Sequence, residues 1–123
     1  MAMAAGLATL RMLDAAAYDQ LETKSARLER GLVEAVRVAR SPGTVQRVGS
    51  LLTLFFTPLP VRNFTDAAAA DHSRFAAFFR AMLRQGIYLP PSGYEAWFVS
   101  LAHDDDVIDR TIDAAHTALA EIR

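Results

Sequence analysis

Leu51 to Phe56 reads Leu-Leu-Thr-Leu-Phe-Phe, a nearly unbroken apolar run. A run this short and this apolar suits a central strand covered on both faces. Gly49-Ser50 precedes it, a two-residue hairpin signal with glycine first, so Thr44–Val48 is expected to pair with it antiparallel. Pro58 and Pro60 bar continuation, because proline has no N–H to give to a ladder. Such a strand persists only under cover, and the rest of the chain is expected to supply it.

The helical periodicities provide that cover. In Asp71–Gln85, Phe75, Phe78, Phe79 and Met82 recur at i, i+3, i+4 and i+7, with Arg74, Arg80 and Arg84 outside. Tyr18–Ala39 carries Tyr18, Leu21, Leu28, Leu32 and Val36 on one stripe, with Ser25 and Ala35 filling the seam. Glu22, Lys24, Glu29, Arg30, Glu34 and Arg37 fall largely outside that stripe. Ser41-Pro42-Gly43 ends this helix. Thr65 is expected to cap a short alanine-rich helix. A last helix over 104–122 turns Ile108, Ile112, Ala115, Leu119 and Ile122 inward. Ala2–Leu13 is helical by composition, with Met3, Leu7 and Leu10 on one face and no capping residue before it, as if cut from a longer helix.

Between the last two long helices lies Gly86–His103. Gly86 suits the left-handed residue that stops a helix. Ile87, Tyr88 and Leu89 are β-prone, Pro90-Pro91-Ser92-Gly93 forms a stiff turn, and 96–101 alternates as a strand with Trp97, Val99 and Leu101 on one side. The expected fold class is α+β: a small, mainly antiparallel sheet of three to four strands, helices packed on one face, and a single domain over 1–123.

Bulk properties narrow the function. A formal charge of −1 speaks against nucleic acid as a partner. No apolar stretch approaches the roughly 20 residues a membrane helix needs, and Arg11 follows rather than precedes the first apolar stretch, unlike a signal peptide. The absence of cysteine excludes a disulfide scaffold and fits a cytoplasmic protein. Gly-x-Ser-x-Gly elbows and glycine-rich phosphate loops are lacking. Asp104, Asp105 and Asp106 beside His103 are read as a helix start rather than a metal site, because consecutive residues converge poorly on one ion. His72 and His116 stand alone on helices and are read as ordinary surface or edge residues. Glu95 is left at the mouth of a rigid turn, the only acid between Asp71 and Asp104.

Residues 88–103, Tyr-Leu-Pro-Pro-Ser-Gly-Tyr-Glu-Ala-Trp-Phe-Val-Ser-Leu-Ala-His, resemble the closing segment of the glutamate-1-semialdehyde 2,1-aminomutases, class-III, fold-type-I pyridoxal-phosphate (PLP) aminotransferases. That pattern reads approximately Tyr-Leu-Ala-Pro-Ser-x-Phe-Glu-Ala-x-Phe-x-Ser-x-Ala-His; here Pro90 replaces alanine, Tyr94 replaces phenylalanine, and Asp104 stands where threonine or serine commonly follows. The likeness extends back to Ala2 but covers only the last third of such an enzyme. It implies a C-terminal small domain, with residues 1–14 the remnant of an interdomain helix. It implies PLP and a homodimer in the full-length enzyme, a missing large domain as partner, and no cofactor on this chain alone. It also implies that Glu95 is the substrate-binding residue, holding the substrate's amino group across the domain interface, with Ser92 and Tyr94 shaping its turn. Lys24, the single lysine, lies on a polar helix face and matches no Schiff-base position. The chain alone is therefore expected to be inactive and to hold no catalytic residue. Two alternatives stay open: the same domain of another class-III aminotransferase, and a stand-alone interaction domain.

Overall fold

The computed structural model describes residues 2–122, in the order α1 (Ala2–Arg11), α2 (Ala15–Ala39), β1 (Thr44–Val48), β2 (Leu51–Phe55), α3 (Phe64–Ala68), α4 (His72–Arg84), β3 (Trp97–Phe98) and α5 (Asp105–Glu121). The fold is α+β. Three antiparallel strands lie in the order β1-β2-β3, which places the apolar run at the centre. Val48 pairs with Leu51 across Gly49-Ser50. Gly49 takes φ +57° and Ser50 does not turn positive, the pattern of a hairpin turn with glycine first.

Partners directly opposite in an antiparallel pair share a face. Arg47, Leu52 and Trp97 therefore form one row, and Val48, Leu51 and Phe98 the other. The first row faces the helices, where Leu52, Leu54 and Trp97 join Leu28, Leu32 and Val36 of α2, Phe75, Phe78 and Met82 of α4, and Ile108, Ala115 and Leu119 of α5 in one core. The second row is open: Val48 is 81% exposed and Phe98 67%. Two-sided cover of β2 is thus only partial. Thr53 is buried beneath the Glu95 backbone, but Leu51 is not.

Arg47 points inward and changes the reading of α2. Its guanidinium takes both carboxylate oxygens of Glu22 at 2.8 and 2.9 Å and one of Glu29 at 2.8 Å, and it donates to the Gly49 carbonyl at 2.7 Å. These bonds hold the Glu22 carboxyl below its ordinary range and raise the affinity of Arg47 for its proton. Glu22 and Glu29 consequently tie α2 to the sheet. Tyr18, assigned to the buried stripe, is 58% exposed. Asp14 caps the helix by accepting from the Ala17 N–H at 2.9 Å, and Ala17 takes the inner position instead.

Helix ends account for the other departures. Asn63, not Thr65, caps α3, its side chain accepting from the Asp66 N–H. At the end of α4, Gly86 (φ +81°) donates to the Leu83 carbonyl and Ile87 to that of Met82, a Schellman closure. That closure uses the Ile87 N–H, and Pro90 and Pro91 have none, so Ile87–Leu89 forms no strand. The expected strand over 96–101 is reduced to Trp97–Phe98, plus one bond from the Val99 N–H to Ser50. Beyond it Leu101 and Ala102 turn toward α5. In α1 the stripe Met3, Leu7 and Leu10 is exposed and no residue is buried.

Candidate functional site

The turn that carries Glu95 is built from chemistry within reach of its own backbone. The Glu95 N–H donates to the Ser92 carbonyl at 3.1 Å, and the Ser92 N–H donates to Glu95 Oε2 at 3.4 Å. Ser92 Oγ accepts from the Tyr94 N–H at 3.3 Å. Ser92 and Tyr94 thus have structural places in the turn. Two of these three bonds are long, so the turn is weakly held from within. From outside, Thr53 Oγ1 of β2 donates to the Glu95 carbonyl at 3.3 Å.

The Glu95 side chain is exposed. Among the described residues it joins no ion pair, although Arg47, Arg27, Arg37 and Arg84 each hold a carboxylate. An exposed carboxylate whose only recorded partner is one long N–H contact is free to accept hydrogen bonds from a cation brought to it. That is the chemistry this turn presents.

The turn rests on α4. A Cβ on Gly93 would lie 3.0 Å from His72 Nδ1 and 3.2 Å from Phe75 Cγ, so glycine permits the close approach. The His72 ring stacks on Tyr94 with centroids 4.3 Å apart and 24° between planes, and Phe64 stacks on Tyr94 at 5.6 Å and 18°. His72, read from sequence as a lone surface or edge residue, is half-buried here, with Nε2 3.1 Å from the Ala67 carbonyl. Nothing in the helical spacing signals this contact, because its partners lie on α3 and on a loop. Asp71, before it, caps α4 and accepts from the Ser73 hydroxyl and the Arg74 N–H, which hold its carboxyl below the ordinary range.

The other candidate groups have structural work. Lys24 is half-buried and donates to the carbonyls of His103 at 2.7 Å and Leu101 at 3.3 Å, tying α2 to the loop before α5. Its amine is therefore engaged rather than freely solvated. His103 Nδ1 accepts from the Ser100 N–H at 3.0 Å. Asp104 caps α5, accepting from the Val107 N–H at 2.9 Å, and Asp105 lies 3.6 Å from Arg27. Among the described residues no three acids, histidines or cysteines converge on a common point. A cleft of about 270 Å³ opens between Ile87–Pro90, Trp97–Val99 and α5; Tyr88, Trp97, His103 and Thr111 bring polar groups to its lining, and Glu95 is not part of it.

Comparison with known proteins shows what such a unit is similar to. Over 99% of its length the chain is 55% identical to the glutamate-1-semialdehyde 2,1-aminomutase of Thermomicrobium roseum, and that match covers 29% of the relative. This chain matches one part of a glutamate-1-semialdehyde 2,1-aminomutase. It thus spans less than a third of the length of the curated relative. No protein-family model matches it. An omega-transaminase from Sphaerobacter thermophilus superposes with a TM-score of 0.82 at 26% identity, covering 98% of this chain and 28% of the transaminase. A glutamate-1-semialdehyde aminomutase from Pseudomonas aeruginosa in complex with PMP gives 0.81 at 21% identity, covering 90% and 24% respectively, and that likeness concerns the fold. The α+β unit therefore recurs within larger chains, among them this transaminase and this aminomutase.

Proposed function

We propose that this chain is the C-terminal portion of a glutamate-1-semialdehyde 2,1-aminomutase, the PLP enzyme that makes 5-aminolevulinate for tetrapyrrole synthesis by exchanging an amino group between adjacent carbons. The observation that carries the reading is 55% identity sustained across 99% of the chain. In this reading α1 belongs to a helix that joins the two domains. The large domain is the principal partner, and the complete enzyme is a cytoplasmic homodimer. Among the described residues no helix is long and apolar enough to cross a membrane.

The residues present do not fit the cofactor by themselves. A Schiff base needs a free amine, and Lys24, the only lysine, spends its amine on two backbone carbonyls of another segment. The contribution of this portion is instead Glu95. Its exposed carboxylate, held on a proline-stiffened turn, orients an ammonium brought by the substrate and offers a proton acceptor beside it. A charge-assisted hydrogen bond of this kind contributes about 1.5–3 kcal/mol. In the complete enzyme, Glu95→Gln is expected to weaken kcat/KM by roughly ten- to hundredfold. Unchanged kcat/KM removes Glu95 from the site.

A second reading keeps the chemistry and changes the substrate. The likeness to an omega-transaminase is the observation behind it; in that reading the amino group would pass between two molecules rather than within one. Product analysis separates the two: 5-aminolevulinate formed from glutamate 1-semialdehyde alone supports the mutase, and a requirement for a second amino donor supports the transaminase.

A further inference from the structure

We propose that His72 is a positioning residue for the Glu95 turn, acting through Tyr94. The inference rests on the reading of Glu95 as an ammonium partner, but its physical content is the order of the turn. The turn's own bonds are few, and two of them are long, at 3.3 and 3.4 Å. The tighter restraint comes from His72. Its ring lies 4.3 Å from Tyr94 and nearly parallel to it, and its Nδ1 edge meets Gly93 at close range.

Rotation of that ring is restricted at its other edge. Nε2 lies 3.1 Å from the Ala67 carbonyl, which can only accept, so Nε2 carries the proton. One side chain thus spans the end of α3, the first turn of α4 and the two residues preceding Glu95. Phe64, at the start of α3, stacks on Tyr94 as well, so the α3–α4 corner grips the tyrosine with two rings. A carboxylate that must meet a substrate across a domain boundary gains from such a grip, because effective geometry tolerates little displacement.

Three variants of the isotope-labelled chain test this, with amide exchange at Glu95 and the Tyr94 ring shifts as readouts. His72→Ala removes ring and donor, His72→Phe keeps the ring, and His72→Gln keeps a donor without the ring. Aromatic stacking of usual strength predicts about two- to tenfold faster Glu95 exchange in His72→Ala, with Tyr94 resonances moving downfield. His72→Phe is expected to restore both, and His72→Gln neither. Unchanged exchange in His72→Ala, or a His72→Phe variant no better than His72→Gln, overturns the proposal. If His72→Ala proves unfolded in a urea titration, the Phe–Gln comparison still decides. Because the readouts follow the turn and not catalysis, a Glu95→Gln enzyme with unchanged kcat/KM refutes the role of Glu95 and leaves the positioning result intact.

Discussion

Gly31→Ala tests the tightest packing found at any of the described glycines. Gly31 lies in α2 against α5, and a Cβ built there would sit 2.5 Å from both Cδ1 and Cγ1 of Ile112 and 2.8 Å from its Cγ2. Two opposing quantities decide the sign. Alanine gains roughly 1 kcal/mol over glycine in a helix interior. Overpacking costs typically about 1–3 kcal/mol. Three carbons of one β-branched side chain are involved, and its χ1 has essentially one well in a helix, so no rotamer change clears them all. Relief requires the helices to move apart, which places the cost in the upper half of its range. The net expectation is a loss of about 1–2 kcal/mol. Urea unfolding followed by Trp97 fluorescence measures it, since this single tryptophan is 5% exposed in the native state. In an Ile112→Ala background the clash is gone, and the same Gly31→Ala change is expected to stabilise by roughly 0.5–1 kcal/mol. A Gly31→Ala chain as stable as the parent, with Ile112 in place, would refute helix contact as the reason for the glycine.

Arg40 ends α2 at φ +52°, closing a Schellman pattern in which Arg40 donates to Arg37 and Ser41 to Val36. Arg40→Gly is expected to raise the urea midpoint by about 1 kcal/mol of stability, the cost of holding a Cβ in that region. Ser25 is fully buried with no partner for its hydroxyl among the described residues, so Ser25→Ala is expected to stabilise by about 1 kcal/mol in the same assay. Glu22, Glu34 and Asp71 have carboxyls held below their ordinary values by Arg47, by Arg37 and by the Ser73 hydroxyl respectively. A lowered native pKa gives stability that is present above the unfolded value and lost as pH falls through the native one. The urea midpoint is therefore expected to drop on acidification below about pH 4.5, with a shallower drop in Glu22→Gln. An identical pH profile in that variant would contradict the Arg47 assignment.

Much of the fold was legible from local chemistry. The apolar Leu51–Phe56 run, Gly49-Ser50 and the phenylalanine stripe of α4 each state a period or a turn, and the structure places β2 at the centre with Phe75, Phe78 and Met82 buried beneath it. Glycine at 86 stops a helix because its own backbone takes φ +81°, a property of one residue and its neighbours. Strand content in 87–101 falls short of the expectation because β propensity describes what a residue tolerates, whereas a strand needs free N–H groups and a partner edge. The Ile87 N–H is spent on Met82, prolines occupy 90 and 91, and only Trp97 and Phe98 lie in register with β2.

The candidate site divides along the same line. As an isolated carboxylate on a proline turn Glu95 could be picked out from the chain, its role in a site being implied only by the resemblance. Its support could not. His72 and Phe64 reach Tyr94 from α3 and α4, and Arg47 draws Glu22 and Glu29 onto the sheet, through contacts whose partners are remote in sequence. Sequence alone determined where helices and turns form, because backbone sterics and hydrophobic period act over a few residues. Tertiary structure alone decided which polar side chains meet, because that depends on where whole elements dock.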